Sequence, residues 1–251
     1  MIIQIIGLPG AGKTALAKGL KERINAIHLN ADEVRATINS DLGFSSEDRV
    51  EQARRLGEMS RLISNQGFDV VVDFVCPTVE TREAFGKPDI LIWVDRIEIS
   101  RFEDTNAIWE APLGTVDLHI PLGMTIEQEI QYVIESFQLF DWKAPTTLML
   151  GRYQPWHEGH KALYAEALNR TDQVLIGVRD TQGTSEKDPF NFGQVYNFIA
   201  TDAQVDTLIM KLPNIVNIVY GRDVGYKIEK IYLSAELEAI SATEKRKEMG
   251  I

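Results

Sequence analysis

The chain carries one cysteine, Cys76. No internal disulfide can form, and the protein is expected in a reducing compartment, the cytoplasm. No histidine lies near Cys76 in sequence, which reads it as a buried bystander rather than a nucleophile. No stretch reaches the roughly 18 apolar residues of a membrane span, so no membrane partner is expected. The opening run, Met1-Ile2-Ile3-Gln4-Ile5-Ile6, lacks a basic leader and a small-residue cleavage site. It reads as a buried strand rather than a signal peptide. Positive charge is scarce: 26 Lys and Arg stand against 37 Asp and Glu, a net charge of −11. The excess is uneven. Up to Asp141, 13 basic residues face 23 acidic ones, whereas from Trp142 onward 13 face 14. Long basic tracts are absent, which argues against nucleic acid as a partner, because phosphate backbones demand a positive footprint. Any anionic ligand must be held by a few local charges and by backbone amides.

What the chain does have is an alternation of apolar runs and helical patterns over 251 residues, enough for one large domain or two small ones. Residues 2–6 form an apolar run followed at once by glycines. Ala11 to Arg23 has Leu16 and Leu20 four apart, and Ala26 to Leu29 is a second short strand. Ser45 to Gln66 reads as a long helix with Leu56, Met59 and Ile63 on one stripe, a serine before it and Gly67 after it. Asp69–Phe74 and Asp89–Val94 read as strands. Thr125 to Phe140 is a helix with Ile126, Ile130, Val133, Ile134 and Phe137 on its apolar face. Strands alternating with helices predict a parallel sheet covered on both faces. The stretch Asp141 to Pro145 interrupts the pattern as a linker. The alternation then restarts with strands at Thr146–Leu150, Gln173–Val178 and Val216–Tyr220 and a helix at Glu158–Asn169. The expectation is an α/β chain of two parallel-sheet nucleotide-binding domains, 1–141 and 146–251. The first would have the P-loop fold and the second a Rossmann-like fold.

The first motif is Gly7-Leu8-Pro9-Gly10-Ala11-Gly12-Lys13-Thr14, which fits G-x-x-x-x-G-K-[ST] between a strand and a helix. Its glycines let consecutive N–H groups face a phosphate, and the helix adds its positive end. Gly7, Gly10, Ala11, Gly12, Lys13 and Thr14 are therefore the expected ATP-binding residues. Lys13 reaches the β and γ oxygens, and the Thr14 hydroxyl takes a Mg²⁺ position. Asp32 follows the second strand, where strand ends line the ligand crevice. It can accept a proton from a substrate hydroxyl or help hold Mg²⁺; a helix N-cap is the other reading. Arg35, one turn on, can hold an anion.

With these residues in view, the first part of the chain resembles adenylylsulfate kinases. That family carries a P-loop, then Asp-Gly-Asp-Asn-x-Arg, an Asn, Asp-Leu-Gly-Phe-Ser and an Arg-bearing helix. This chain has Asp32, Arg35, Asn39, Asp41-Leu42-Gly43-Phe44-Ser45 and Arg49. The resemblance covers residues 1–85 well. It implies that Arg35, Asn39 and Arg49 contact an acceptor nucleotide and that Phe44 stacks on its base. The chain also departs from the family. The first Asp of the motif is Asn30 and its Gly is Ala31. The Ser-Pro-Tyr-Arg run has become Cys76-Pro77-Thr78-Val79. No basic, glycine-bearing lid is visible between Asp95 and Pro112, where only Arg96 and Arg101 could clamp phosphates.

The second motif, Gly151-Arg152-Tyr153-Gln154-Pro155-Trp156-His157-Glu158-Gly159-His160, joins a strand to a helix. One helical turn brings His157 and His160 to one face, and Gly159 leaves room for a ligand. Such a pocket suits charge building on a triphosphate whose α-phosphorus is attacked. A zinc pair would need further N or S ligands, and structural histidines are the other alternative. These residues look like the His-x-Gly-His loop of the nucleotidyltransferase superfamily that includes cytidylyltransferases. Ile240-Ser241-Ala242-Thr243-Glu244-Lys245-Arg246 is similar to that superfamily's Ile-Ser-x-Thr-x-x-Arg. The resemblance covers 146–251 and implies that Gly151, Arg152, Tyr153, Gly159, His160, Ser241, Thr243 and Arg246 hold CTP or ATP, with His157, His160 and Arg246 catalytic. Read without the resemblance, the last segment is an N-capped surface helix. Gln194-Val195 stands where that superfamily usually has Glu-Arg. The compact second domain leaves open an acceptor pocket shared within a homo-oligomer.

The sequence thus predicts an ATP-dependent kinase joined to a nucleotidyltransferase, with small-molecule acceptors. Lys13, Asp32, His157, His160 and Arg246 are the expected catalytic residues. A sulfate-activating enzyme and a nucleotide sensor without turnover are the alternatives.

Overall fold

The computed structural model describes every residue except Val205, Tyr220, Arg222, Asp223, Val224, Tyr226 and Ile251, together with the side chain of Glu238. The chain divides into two compact units, Met1–Trp142 and Lys143–Ile251.

The first unit is built on five parallel strands: β1 (Ile2–Ile6), β2 (Ile27–Asn30), β3 (Val70–Asp73), β4 (Ile90–Asp95) and β5 (Leu118–Pro121), in the spatial order β2-β3-β1-β4-β5. β1 lies at the centre, and all five of its residues are buried. Side chains alternate across a strand. Ile3 and Ile5 therefore join α1 (Lys13–Ile24) and α6 (Ile126–Phe137) on one face, through Leu16, Leu20, Ile130 and Val133. Ile2 and Ile6 join α2 (Ala31–Ala36), α3 (Ser46–Ser64) and α4 (Val79–Phe85) on the other, through Val34, Leu56 and Phe85. Burial of both faces explains why these strands read as continuous apolar runs. Ser45 caps α3, accepting from Asp48 N, and Thr125 caps α6 in a reciprocal box with Gln128. A short helix α5 (Glu103–Ile108) sits between β4 and β5.

The second unit has a three-stranded parallel sheet, β6 (Thr146–Gly151), β7 (Gln173–Arg179) and β8 (Thr207–Leu212), in that order. Its helices are α7 (Glu158–Leu168), α8 (Phe192–Ala200), α9 (Ala235–Glu238) and α10 (Ala242–Glu248). Its own core gathers Met149, Tyr153, Trp156, Ile176, Val195 and Ile199. Both sheets are parallel and belong to an α/β fold, as the alternation requires. The third strand of this unit differs from expectation. It is 207–212, whereas 216–219 is unpaired, with Val216 and Val219 largely exposed; Tyr220 lies outside the described residues. Among the described residues no helix is long and apolar enough to cross a membrane.

Candidate functional sites

In the first unit, the loop after β1 takes the shape its glycines permit. Gly7, Gly10 and Gly12 have φ of 148°, 92° and 96°, a region that penalises side chains. A Cβ on Gly7 would stand 2.3 Å from Val94 O. Gly12 leads into α1 with no side-chain hydrogen bond capping the helix start, where an α-helix has orphan N–H donors. Ala11 packs in the core and donates its N–H to Leu8 O at 3.1 Å; only its backbone borders the loop. Lys13 is 7% exposed and curls back so that Nζ donates to Leu8 O at 2.9 Å. Burial lowers its pKa to about 8, against the opposing pull of Asp73 and Asp32. Among the described residues it forms no ion pair closer than the through-space pull of those two carboxylates.

Thr14 Oγ1 donates to Asp73 Oδ2 at 2.6 Å. Asp73 ends β3, and its buried carboxylate also accepts from Asn30 Nδ2 at 3.1 Å and pairs with His28 Nε2 at 2.6 Å. Although burial opposes it, these bonds hold the Asp73 pKa below the usual carboxylate range. Sequence reasoning missed Asp73. Its signal was an acidic residue closing an all-apolar strand, at the strand ends where ligands collect. Asp32 is not the cap of α2. Asn30 is, accepting from Asp32 N and Glu33 N, because its side chain precedes the first turn. The Asp32 carboxylate takes no hydrogen bond among the described residues and lines a pocket with Arg35, Phe44, Arg49 and Pro77.

Phe44 is 68% exposed. The Arg35 and Arg49 guanidinium carbons lie 4.8 and 5.7 Å from its centroid. Burial, followed by the Arg49 charge, lowers the Arg35 pKa, because both disfavour the charged form. Arg49 also pairs with Asp104 of α5 at 2.7 Å. Asn39 departs from the expectation of ligand contact. It is 1% exposed, donates to Gln52 Oε1 at 2.7 Å and does not line the pocket. Gln52 in turn donates to Ala31 O, so Asn39 braces α3 against the start of α2.

In the second unit, His157 precedes α7 and His160 lies in its first turn. Their rings stack with centroids 3.8 Å apart, and His160 stacks in turn on Trp156. Both Nδ1 atoms are buried without a hydrogen-bond partner among the described residues. Burial and then His157 lower the His160 pKa to about 4, and burial and then Lys245 lower that of His157. A Cβ on Gly159 would meet the His157 ring at 3.1 Å and Leu237 O at 3.4 Å. Arg246 donates to Gln154 O at 2.7 Å and to Thr243 Oγ1 at 3.2 Å. The two motifs, 92 residues apart, therefore meet. Ser241 caps α10, accepting from Glu244 N. Arg152 pairs with Asp188 at 3.2 Å. Tyr153 turns its ring into the core at 4% exposure, so only its backbone is left to border the loop. Apolar packing against Trp156 and above Gly151 holds it there.

The lowered histidine pKa values make the second unit acid-sensitive. A folded pKa below the unfolded 6.5 means that the unfolded chain binds more protons between about 4 and 6.5. Stability should fall as pH drops through that window. In thermal melts from pH 7 to 4, wild type is expected to lose more of its melting temperature than His160→Asn; equal losses would contradict the buried neutral imidazole.

A strand, a glycine loop and a helix opening on a lysine, set in a β2-β3-β1-β4-β5 sheet, define a P-loop nucleotide-binding fold. The adenylylsulphate kinase family model matches residues 1–89. The chain is 41% identical over 151 residues to the adenylyl-sulfate kinase of Vibrio cholerae, covering 49% of this chain and 70% of that one. It is 31% identical over 119 residues to the adenylyl-sulfate kinase of Clostridium acetobutylicum, covering 43% of this chain and 60% of that one. The chain belongs to the adenylylsulfate kinase family through its first unit. It spans less than two thirds of the Clostridium relative's length. Among solved structures, the Mycobacterium tuberculosis APS kinase in complex with AMPPNP and APS shares the fold, with a TM-score of 0.50 and 24% identity over 55% of this chain and 96% of that one.

Proposed function

We propose that the P-loop domain, residues 1–141 of the first unit, transfers the γ-phosphoryl group of ATP to a hydroxyl of a small molecule. The observation that carries this reading is the juxtaposition of Lys13 with the loop amides, the Thr14–Asp73 pair and the unbonded Asp32 carboxylate. Loop amides and Lys13 would hold the β and γ oxygens. Asp32 would accept the proton as the substrate oxygen attacks the γ-phosphorus and ADP leaves. Thr14 and Asp73 offer the hard oxygen donors that suit Mg²⁺; the ion would supply charge neutralisation to the phosphates. The acceptor would lie between Phe44, Arg35 and Arg49. Adenylylsulfate is the acceptor that the relatives' names indicate. The replaced Tyr and Arg at Thr78 and Val79 favour another anionic or flat acceptor. Product analysis by mass spectrometry with ATP and a metabolite mixture, adenylylsulfate included, tests this. Absence of any phosphorylated product would remove the kinase reading.

The second unit, residues 146–251, fits a nucleotidyltransferase resembling cytidylyltransferases. A phosphate oxygen would attack the α-phosphorus of CTP or ATP, and pyrophosphate would leave. The hydrogen bond from Arg246 to Gln154 O supports this, because it ties the second motif to the loop that carries the stacked His157 and His160. The order of the two units suggests sequential steps: a phosphomonoester made first, then joined to a nucleotide. His160→Ala is expected to cut pyrophosphate release about 10²–10³-fold, the usual cost of one transition-state donor, without changing phosphoryl transfer by the first unit. A melting temperature that falls together with both activities would make His160 structural instead.

A further inference from the structure

Arg96 follows β4 and faces the phosphate-binding loop. A Cβ on Gly12 would lie 2.6 Å from Arg96 Nη1 and 3.0 Å from its Cζ, so the guanidinium rests against the residue preceding Lys13. Its Nη2 pairs with Glu129 Oε2 of α6. The Glu129 side chain is 0% exposed, and that of Arg96 is 18% exposed. Burying a carboxylate is costly unless every lone pair is met, and here it is not. Among the described residues, Arg96 Nε and Glu129 Oε1 are both buried without a hydrogen-bond partner. Neighbouring positions of α6 are apolar, Ile130, Val133 and Ile134 among them. Two apolar side chains would serve packing as well and avoid the desolvation. What the pair provides instead is a guanidinium held in place beside a loop shaped for phosphate. A planar fork pre-set in this way loses little freedom when it meets phosphate oxygens.

We propose that Arg96 is a nucleotide-binding residue whose guanidinium contacts the polyphosphate of ATP in the Gly7–Thr14 loop, and that Glu129 positions it. This rests on the reading of the first unit as an ATP site. Removing Arg96 alone would strand the Glu129 charge, so the informative variant is Arg96→Met with Glu129→Met. The measurement is equilibrium binding of Mg-ATP, ADP and AMP to the full chain, with Lys13→Ala alongside. The affinity lost in Lys13→Ala marks the first unit's share. In the double variant that share should weaken about 10- to 100-fold for ATP and ADP, the range for a charge-assisted hydrogen bond, with AMP unchanged and melting temperature retained. Wild-type ATP affinity in the double variant, while Lys13→Ala still loses binding, would overturn the assignment and leave the ATP site standing. An equal loss for AMP would place Arg96 on the nucleoside and overturn it too. If Lys13→Ala loses nothing, the ATP site itself falls, and the role of Arg96 with it.

Discussion

Lys13→Ala is expected to lower ATP-dependent phosphoryl transfer by ~10³-fold or more, the scale of a cation lost from a developing phosphoryl charge. The fold should survive, and the melting temperature should hold or rise. Lys13 forms one hydrogen bond, to Leu8 O, and burial pushes its ammonium to a pKa of about 8. Without nucleotide, that buried charge is a burden on the fold. The sign follows from proton counting: between pH 8 and 10.5 the unfolded chain holds the proton and the folded chain has released it. The stability difference between wild type and Lys13→Ala should therefore shrink as pH rises through that window. ATP affinity should move the opposite way, weakening above pH 8 as the ammonium is lost. Turnover and calorimetric binding on the same preparations check both halves. Undiminished turnover in the variant would remove the kinase assignment.

Asp32→Asn should reduce kinase turnover about 10²–10⁴-fold, the usual value of general-base assistance, while ATP affinity changes little. The contrast with Asp73 is the reason. Asp73 is engaged by Thr14, Asn30 and His28, all of which favour its charged form. Asp32 has no such ties and borders the pocket that holds Phe44 and the two arginines. The amide isostere keeps the volume and removes the proton acceptor. A loss confined to kcat supports this role; turnover within about threefold of wild type would leave Asp32 as a first-turn acid of α2 with no part in chemistry.

The parts of this architecture written in local pattern could be read from the sequence, and those decided by distant pairing could not. β1 and its loop announce themselves, since an apolar run meeting Gly7, Gly10 and Gly12 has few other uses. The caps at Ser45 and Thr125 are equally local. β5 escaped because its exposed edge alternates, with His119 and Pro121 outward, over only four residues. α4 and α5 are of seven and six residues, too short for a periodic stripe. In the second unit, Thr207–Leu212 and 216–220 are both apolar enough to be strands. The register Val174↔Thr207 to Arg179↔Leu212 settles which one pairs with β7, and no property of either segment alone does so. The candidate sites divide in the same way. Lys13 and the two histidines were visible in motifs. Asp73 became visible only once β3 was seen beside β1, and the buried place of Asn39 was hidden because its partner, Gln52, sits 13 positions away on α3.

Asn30 joins two neighbourhoods with one amide: its oxygen closes the start of α2 while its nitrogen reaches both oxygens of Asp73. The related kinases have an aspartate in the corresponding motif position. Here an aspartate would set two carboxylates about 3 Å apart, and one would have to stay protonated. Positions 30 and 73 are thus electrostatically coupled, so that the charge at one sets which side chain the other can tolerate.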